Sequence, residues 1–340
     1  MVPDSWPPQN SQTFTRSNSG AADCRAGIPG FWDIAMYAST TDVPALVHDT
    51  VRDQTSAMDA WLVDLLQPET DSTNTFPTSA RAAHYHVAAG GQRIRFLLAL
   101  DAGRALGLTS GDAVCIATAV ELLHNASLIH DDLQDRDKFR RGLPSVWAAF
   151  GEDIAICSGD LLLSSAYAAL ATFSSPALLP GLISLIHART AHAIAGQCAD
   201  LEARGQTIDD VGAYETIAIA KSGALLGLPL ELALVASGYN NSSAVARRAA
   251  DAFAVGYQIF DDITDFGKDT GTRKVGHDAK PASLNILSVL RAAGHGADAG
   301  QLARTLGLKR LRTAADDVAN LPKRSGALLR ELALRLAARL

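Results

Sequence analysis

Residues 121–135 read ELLHNASLIHDDLQD, an apolar stretch that ends in three aspartates, Asp131, Asp132 and Asp135. In an α-helix of about 3.6 residues per turn, Asp131 and Asp135 lie one turn apart, with Asp132 beside them. Carboxylates at this spacing repel one another and oppose the helix macrodipole, so a cation is the natural compensation. Carboxylate oxygens favour Mg²⁺. One such motif is also typical of a solvated acidic helix end.

A second copy lies in GYQIFDDITDF, residues 256–266, where Asp261, Asp262 and Asp265 end another strongly apolar segment. Two copies on separate apolar helices favour a shared site over two solvated helix ends. Six facing carboxylates could bind several Mg²⁺ ions, which would neutralise a diphosphate and make it a better leaving group. The pattern predicts departure of diphosphate to leave a carbocation.

Basic side chains accompany the acidic motifs. Arg140 and Arg141 stand in RRGLP after the first motif, and Arg93 and Arg95 stand in GGQRIR upstream of it. The glycine pair permits a tight backbone turn beside an anion. We interpret these arginines as diphosphate clamps.

Composition favours an all-α fold. Of 340 residues, 48% are hydrophobic and only 6% aromatic, a balance that suits packed helices. The sequence predicts a loosely ordered tail over residues 1–42 and a single domain over residues 43–340. Apolar residues recur at helical spacing in segments 43–67, 79–106, 111–136, 153–174, 178–204, 208–236, 243–266, 282–293, 297–318 and 325–339.

Charge and hydropathy exclude some classes of partner. The net charge of −6 gives no basic surface for nucleic acid. No uncharged apolar run of about 18 residues is present, so we expect no membrane insertion and a cytoplasmic protein. Cys115, Cys157 and Cys198 stand in apolar surroundings and are predicted to be buried, reduced thiols.

The ordered motifs identify a family. Over roughly residues 80–290, the chain resembles the trans-isoprenyl diphosphate (polyprenyl) synthases. The matching motifs are GGQRIR (90–95), HDDLQD (130–135), RRGLPSVW (140–147), GDLLL (159–163), GQCADL (196–201), KSG (221–223) and GYQIFDDITD (256–265).

This resemblance implies about ten long helices around a central cavity, usually in a homodimer. The implied reaction is head-to-tail condensation of isopentenyl diphosphate with an allylic diphosphate, with three Mg²⁺ ions in each site. The implied metal ligands are Asp131, Asp132, Asp135, Asp261 and Asp262, with Asp265 at or near the metal.

The resemblance also assigns substrate-binding residues. Arg140 matches an arginine that holds the allylic diphosphate, whereas Arg141, Arg95 and, as a helper, Arg93 match residues around isopentenyl diphosphate. Residues matching those near the ionising carbon are Gln197, Lys221, Ser222 and Gln258. The departing diphosphate is then expected to take the proton, and His124 and His130 are interpreted as hydrogen-bonded core histidines.

Two stretches depart from the family pattern. Gln92 replaces a lysine that usually grips isopentenyl diphosphate, so a neutral contact replaces a charged one. In GTRKVGHDAKPASLN, residues 271–285, Lys274 matches the first of two usual lysines, and Lys280 matches the second only with a short deletion.

Small residues behind the first acidic motif bear on product length. In the family the growing chain runs along this helix, where Ser127 and Ala126 lie about 6 to 7.5 Å below Asp131. Their size predicts a tail of twenty carbons or more. Leu123, about 12 Å down, is a candidate floor together with His124. We expect geranylgeranyl diphosphate, with a longer polyprenyl product as the alternative.

Three other functions are compatible with part of this pattern. A class I terpene cyclase usually carries an Asn/Ser/Glu metal motif in place of the second acidic motif. A non-catalytic subunit of a heteromeric synthase typically loses one acidic motif, and this chain keeps both. Gln92 leaves open a prenyltransferase with an unusual acceptor.

Overall fold

The computed structural model describes residues 78–269 and 284–340, and within residues 265–269 only the backbone. Lys274, Lys280, the predicted tail and the predicted helix 43–67 lie outside the described residues. The α-helices are α1 (Thr78–Ala88), α2 (Ile94–Leu106), α3 (Ser110–Asp135), α4 (Val146–Phe150), α5 (Glu152–Leu170), α6 (Leu179–Ala203), α7 (Val211–Ala218), α8 (Ala224–Ala236), α9 (Ser243–Asp269), α10 (Ile286–Leu290), α11 (Ala299–Ala319) and α12 (Ala327–Ala337).

Helix α3 is the centre of the bundle and carries the first acidic motif. It begins where the Thr109 hydroxyl accepts a hydrogen bond from the backbone N–H of Asp112, 3.1 Å away. It ends at Arg136, which adopts the left-handed conformation. Most of its residues are buried against α2, α5 and α8, as an apolar circumference predicts. The first motif therefore lies at the end of a rigid helix.

Helix α9 carries the second acidic motif and joins two parts of the core. Its Phe253 packs with α2, α11 and α12, whereas Val255 and Ile259 pack with α7 and α10. Since α8 packs against both α3 and α9, the two motif-bearing helices are held in one bundle. The all-α bundle predicted from the sequence is confirmed.

A π-helical turn, Ile219–Gly223, joins α7 to α8 within the predicted segment 208–236. Gly196 lets α6 approach this turn, because a Cβ there would lie 2.3 Å from the backbone nitrogen of Lys221. On the other side, a Cβ at Gly223 would lie 2.8 Å from Oδ1 of Asp251 in α9. Widened turns of this kind often occur at functional sites. The two glycines therefore permit the close packing around Lys221 and Ser222.

A small hairpin that the sequence did not predict follows α3. Its strands β1 (Phe139–Arg140) and β2 (Leu143–Pro144) pair antiparallel, with Arg140 opposite Leu143. Arg141 and Gly142 form the turn with φ of 53° and 79°. Tyr85 of α1 donates a hydrogen bond of 2.8 Å to the carbonyl oxygen of Pro144. The hairpin thus fixes both arginines of the RRGLP segment.

The cysteine prediction is wrong in part. Cys115 is buried, and its Sγ donates to the carbonyl oxygen of Ala169 at 3.2 Å. Cys157 and Cys198 are exposed, because they lie on outward faces of α5 and α6. These helix faces are apolar, but at Cys157 and Cys198 the described part of the chain leaves them exposed to solvent.

Three helical stretches are long and apolar enough, by length and composition, to cross a membrane: Ser110–Asp135, Glu152–Leu170 and Val211–Ala236. In the first and third, 83% and 78% of the most apolar window is buried inside the protein, so core packing accounts for their hydropathy. In the second the buried share is only 44%.

Candidate active site at the ends of two acidic helices

Asp132, in the first acidic motif, is bound by Arg140. Asp132 is 1% exposed and Arg140 is 6% exposed. Nε of Arg140 lies 3.0 and 3.2 Å from the two carboxylate oxygens, and Nη2 also donates to Oδ1. Burial raises the pKa of Asp132 to about 6, although Arg140 opposes the shift. Burial alone would lower the pKa of Arg140, but Asp132 outweighs it and the pKa rises.

Asp131 lies beside the ammonium group of Lys221. Nζ of Lys221 is 3.5 Å from Oδ1 of Asp131 and 2.7 Å from Oδ2 of Asp200. Burial raises the pKa of Asp131, with Lys221 as the main opposing influence. For Lys221, the two carboxylates overcome burial and raise its pKa. The structure therefore places Lys221, which the resemblance assigns to the ionising carbon, beside the first acidic motif.

Asp135 is bound by Arg204, which the sequence reasoning missed. Nη2 of Arg204 donates to Oδ1 of Asp135 and lies 3.9 Å from Asp200, while Nη1 is 3.4 Å from the carbonyl oxygen of Gln134. Asp200 stands inside the GQCADL motif, so its place in the motif was a usable signal. Nothing in the local sequence marks Arg204, because its contact depends on how α6 lies beside α3.

In the second acidic motif, Asp262 is 6% exposed and accepts several hydrogen bonds. Gln258 Nε2 donates to Oδ1 at 2.9 Å, and the Tyr214 hydroxyl and the backbone N–H of Ile286 donate to Oδ2 at 2.9 and 2.7 Å. Asp261 beside it is half-buried. Tyr214 was also missed from the sequence, and the side chain of Asp265 lies outside the described part.

The donor chemistry fits a divalent cation such as Mg²⁺. Oxygen ligands predominate, and the raised pKa of buried Asp131 marks a carboxylate that gains from an added positive charge. Among the side chains that the structure describes, no three His, Cys, Asp or Glu residues converge closely enough to hold a metal by themselves. A metal here would need oxygens from a ligand as well, as diphosphate sites with Mg²⁺ commonly do.

A cationic pocket brings four predicted substrate-binding residues together. It is lined by Gln92, Arg93, Arg95 and Arg141. A Cβ at Gly91 would lie 2.7 Å from the Arg141 guanidinium, so this glycine makes room for the arginine. Nη1 of Arg141 donates to the carbonyl oxygen of Gly90. The glycine pair therefore positions Arg141, a contact that the sequence did not predict.

Burial shapes the charge of this pocket. It lowers the pKa of Arg95 to about 10, with Glu121 opposing the shift. It also places the pKa of His124 well below its usual value, and Arg95 and Arg141 add to this effect. His124 is buried, as predicted. It lines the cationic pocket, whereas the sequence placed it with Leu123 at the floor of the tail cavity.

A second cavity, of about 810 Å³ and partly open to solvent, lies on the other side of α3. Asp131, Gln134, Gln197 and Lys221 are among its polar lining residues. All three predicted chain-length residues, Leu123, Ala126 and Ser127, line this cavity. Apolar side chains from α5, α6 and α8 complete its lining: Leu163, Ala193, Ile194, Leu201 and Leu225.

Ser127 keeps its hydroxyl satisfied, because Oγ donates to the carbonyl oxygen of His124 at 2.7 Å. His130 also lines this cavity and is one-third exposed, with Nε2 3.4 Å from the carbonyl oxygen of Ile156. The predicted core position therefore does not hold for His130.

The two cavities are lined by neighbouring residues of the same elements. Leu123 lines the apolar cavity and His124 the cationic pocket, and Lys221 and Ser222 divide in the same way. On α3 this follows from helical geometry, because consecutive side chains point about 100° apart. Helix α3 and the π-helical turn therefore lie between the two cavities.

Among the residues predicted to lie near the ionising carbon, three buried oxygens have no hydrogen-bond partner among the described residues: Oγ of Ser222, Oε1 of Gln197 and Oε1 of Gln258. The amide nitrogen of Gln197 is engaged, donating to Oε1 of Gln134 at 2.9 Å. Unsatisfied buried oxygens are favourable neighbours for a positive charge.

Comparison with known proteins assigns the family. A family model described as polyprenyl synthetase matches residues 77–322. The chain is 31% identical to a probable farnesyl diphosphate synthase from Bradyrhizobium diazoefficiens, over 91% of this chain and 93% of that protein. It is 35% identical to the large subunit 1 of a heterodimeric chloroplastic geranylgeranyl pyrophosphate synthase from Arabidopsis thaliana, but there it spans only about half of each protein, 56% and 54%.

The fold has solved counterparts. A decaprenyl diphosphate synthase from Rhodobacter capsulatus aligns with a TM-score of 0.72 over 86% of this chain and 98% of that one, at 20% identity, which supports the fold alone. The family match covers most of the chain and includes both acidic helices. The chain therefore belongs to the polyprenyl synthetase family and is a trans-prenyltransferase, the enzyme class that its motifs predict.

Proposed function

We propose that the protein condenses isopentenyl diphosphate head to tail with an allylic diphosphate and releases geranylgeranyl diphosphate. The observation that carries the proposal is the pair of cavities with opposite chemistry, both lined by residues of α3 and of the π-helical turn. The arginine-lined pocket suits the diphosphate of isopentenyl diphosphate. The apolar cavity, with Asp131 and Lys221 among its lining residues, suits an allylic diphosphate whose tail lies inside.

Ionisation is proposed to occur beside the first acidic motif. Mg²⁺ bound by carboxylates of the two motifs would bridge them to the diphosphate and neutralise its charge. Lys221 lies within reach of the same place and would donate to diphosphate oxygens. Arg140, fixed by Asp132, would add a second cationic donor. Together these groups stabilise the charge that develops on the leaving group.

Capture of the carbocation is proposed to occur where the two cavities meet the π-helical turn. Ser222 lines the cationic pocket immediately after Lys221, which lines the apolar cavity, so the two substrates would meet at the π-helical turn. The buried oxygens of Ser222, Gln197 and Gln258 would stabilise the cation before the new carbon–carbon bond forms. The proton lost in this step would pass to the departed diphosphate, which Arg140 and Lys221 would hold nearby.

Product length is proposed to follow from the apolar cavity. Ala126 and Ser127 leave the passage beside α3 open, and Leu123 lies below them. The alternative, a longer polyprenyl product, has one observation in its favour. Ile194, which lines the cavity, is 58% exposed, so the α6 side presents an opening through which a longer tail could pass.

We also propose a homodimer that buries the outer faces of α5 and α6. Ile156, Ile183 and Ile194 are 48%, 41% and 58% exposed on these helices. A second copy is the proposed occupant, because the patch is continuous with the cavity that a partner would close. Sedimentation of Ile183→Asp should yield monomers, whereas Leu302→Asp, at an exposed leucine on α11, should leave the wild-type state.

The proposed function is tested by incubating purified protein with Mg²⁺, isopentenyl diphosphate and dimethylallyl, geranyl or farnesyl diphosphate, followed by sizing of the products. Geranylgeranyl diphosphate should accumulate, and Asp131→Asn should abolish it. Longer products would favour the alternative. Absence of elongation with every primer would overturn the proposal.

A further inference from the structure

Tyr214 is a buried tyrosine that none of the recognised motifs contains. It lies in α7 and is 1% exposed. Its hydroxyl donates to Oδ2 of Asp262 in the second acidic motif, 2.9 Å away. This contact ties α7 directly to the second acidic motif.

Asp262 is where three separate segments meet. Gln258 comes from the preceding turn of α9, the backbone N–H of Ile286 from the start of α10, and the hydroxyl of Tyr214 from α7. Asn285 adds a contact of 3.4 Å to the carbonyl oxygen of Asp262. Such a buried network fixes the carboxylate and the elements around it.

Helix α7 leads directly into the turn that carries the reacting groups. Tyr214 lies seven residues before Lys221, in the helix that runs directly into the π-helical turn. Its hydrogen bond therefore links the element that holds Lys221 to the element that holds Asp261 and Asp262. Lys221 in turn lies 3.5 Å from Asp131 in the first motif.

We propose that Tyr214 is a positioning residue of the active site: through Asp262 it sets the distance between the second acidic motif and the turn that carries Lys221 and Ser222. This proposal rests on the proposed function. Removing the hydroxyl takes from Asp262 the donor that α7 supplies and lets α7 and α9 move relative to each other. The arginines of the cationic pocket come from the segment before α2, from α2 and from the hairpin, so they should be affected little.

The test is Tyr214→Phe, which keeps the ring and removes one oxygen. The matched control is Tyr239→Phe, the same change at a half-buried tyrosine whose ring lies 5.8 Å from Nζ of Lys323. Turnover of Tyr214→Phe should fall about 10- to 100-fold, and Mn²⁺ should bind more weakly by a similar factor in the presence of a non-reactive allylic diphosphate analogue. The KM for isopentenyl diphosphate should stay within about twofold of wild type.

Electron paramagnetic resonance of Mn²⁺ reports binding independently of turnover, and circular dichroism checks folding. If Tyr214→Phe folds and matches Tyr239→Phe in turnover and Mn²⁺ binding, the positioning role is wrong. If it binds Mn²⁺ normally but simply melts earlier, the tyrosine is only structural and the proposal is likewise overturned. Failure of the wild-type protein to elongate any primer would instead reject the proposed function, and Mn²⁺ binding would still test the link.

Discussion

Nζ of Lys221 lies 3.5 Å from Oδ1 of Asp131, so a cation already stands beside the first carboxylate of the motif. Because Lys221 comes from a π-helical turn packed on Gly196, its position is set by the backbone. This arrangement lets one side chain balance the carboxylate when the site is empty and hold a diphosphate when it is filled.

Replacing Lys221 by methionine should therefore reduce turnover roughly 100-fold or more, the usual effect of removing one donor from a developing anion. The pKa of Asp131, already raised by burial, should rise further without its cation. Steady-state kinetics with both substrates measure the effect. Lys309→Met, at an exposed lysine of α11, should leave turnover unchanged. Equal activity of the two variants would contradict the role given to Lys221.

Replacing Gln92 by lysine should lower the KM for isopentenyl diphosphate about 10-fold, because a charge-assisted hydrogen bond replaces a neutral one. Oε1 of Gln92 is buried and has no partner among the described residues. Without substrate, a fourth cation beside Arg93, Arg95 and Arg141 should lower the melting temperature. Gln206→Lys, on the exposed surface, is the control and should change neither quantity. An unchanged KM in the Gln92 variant would show that this position does not contact the acceptor.

Replacing Ala126 by phenylalanine should shorten the product by at least one isoprene unit. Ala126 is 2% exposed and lines the apolar cavity, so an aromatic ring there would fill the passage above Leu123. Chromatography of the products measures the change. Ala338→Phe, at an exposed position after α12, should give the wild-type length. Products of unaltered length from the Ala126 variant would mean that the tail takes another path.

Replacing Asp251 by asparagine should change how stability depends on pH. Burial raises the pKa of Asp251 to about 6, with Arg247 and Arg189 opposing the shift and Glu231 adding to it. The folded protein therefore binds this proton more tightly than the unfolded chain, and the carboxyl lowers stability as pH rises from about 4 to about 6.

The variant lacks this ionisation, so its free energy of unfolding relative to wild type should increase over that pH range and then level off. Denaturant unfolding at a series of pH values measures the difference. A difference that stays constant with pH would mean that Asp251 has its ordinary pKa in the folded state.

Much of the architecture was predictable because it depends on local pattern. Helical periodicity located α3 and α9, and the two acidic motifs marked their functional ends. The family motifs placed Gln92, Arg93, Arg95 and Arg141, which do line one pocket. These predictions rest on residues close together in sequence or on motifs in a fixed order.

The missed features depend on how distant elements pack. Tyr214 reaches Asp262 across 48 residues and Arg204 reaches Asp135 across 69, and no local spacing encodes either contact. The exposure of Cys157 and Cys198 was missed for a related reason. An apolar helix face predicts burial, but it does not distinguish a covered core face from one left uncovered in a single chain.

Leu123 and His124 are consecutive on one helix but line different cavities, and this has a consequence for how such an enzyme can change over time. A substitution of Leu123 in the apolar cavity would displace His124 in the cationic pocket, because both residues lie on one turn of one rigid helix. Changes in product length reached through this turn would therefore affect acceptor binding as well. Variation that starts from the opposite wall, at Leu163 or Ile194, is free of that linkage, and it offers the more accessible evolutionary route to new products.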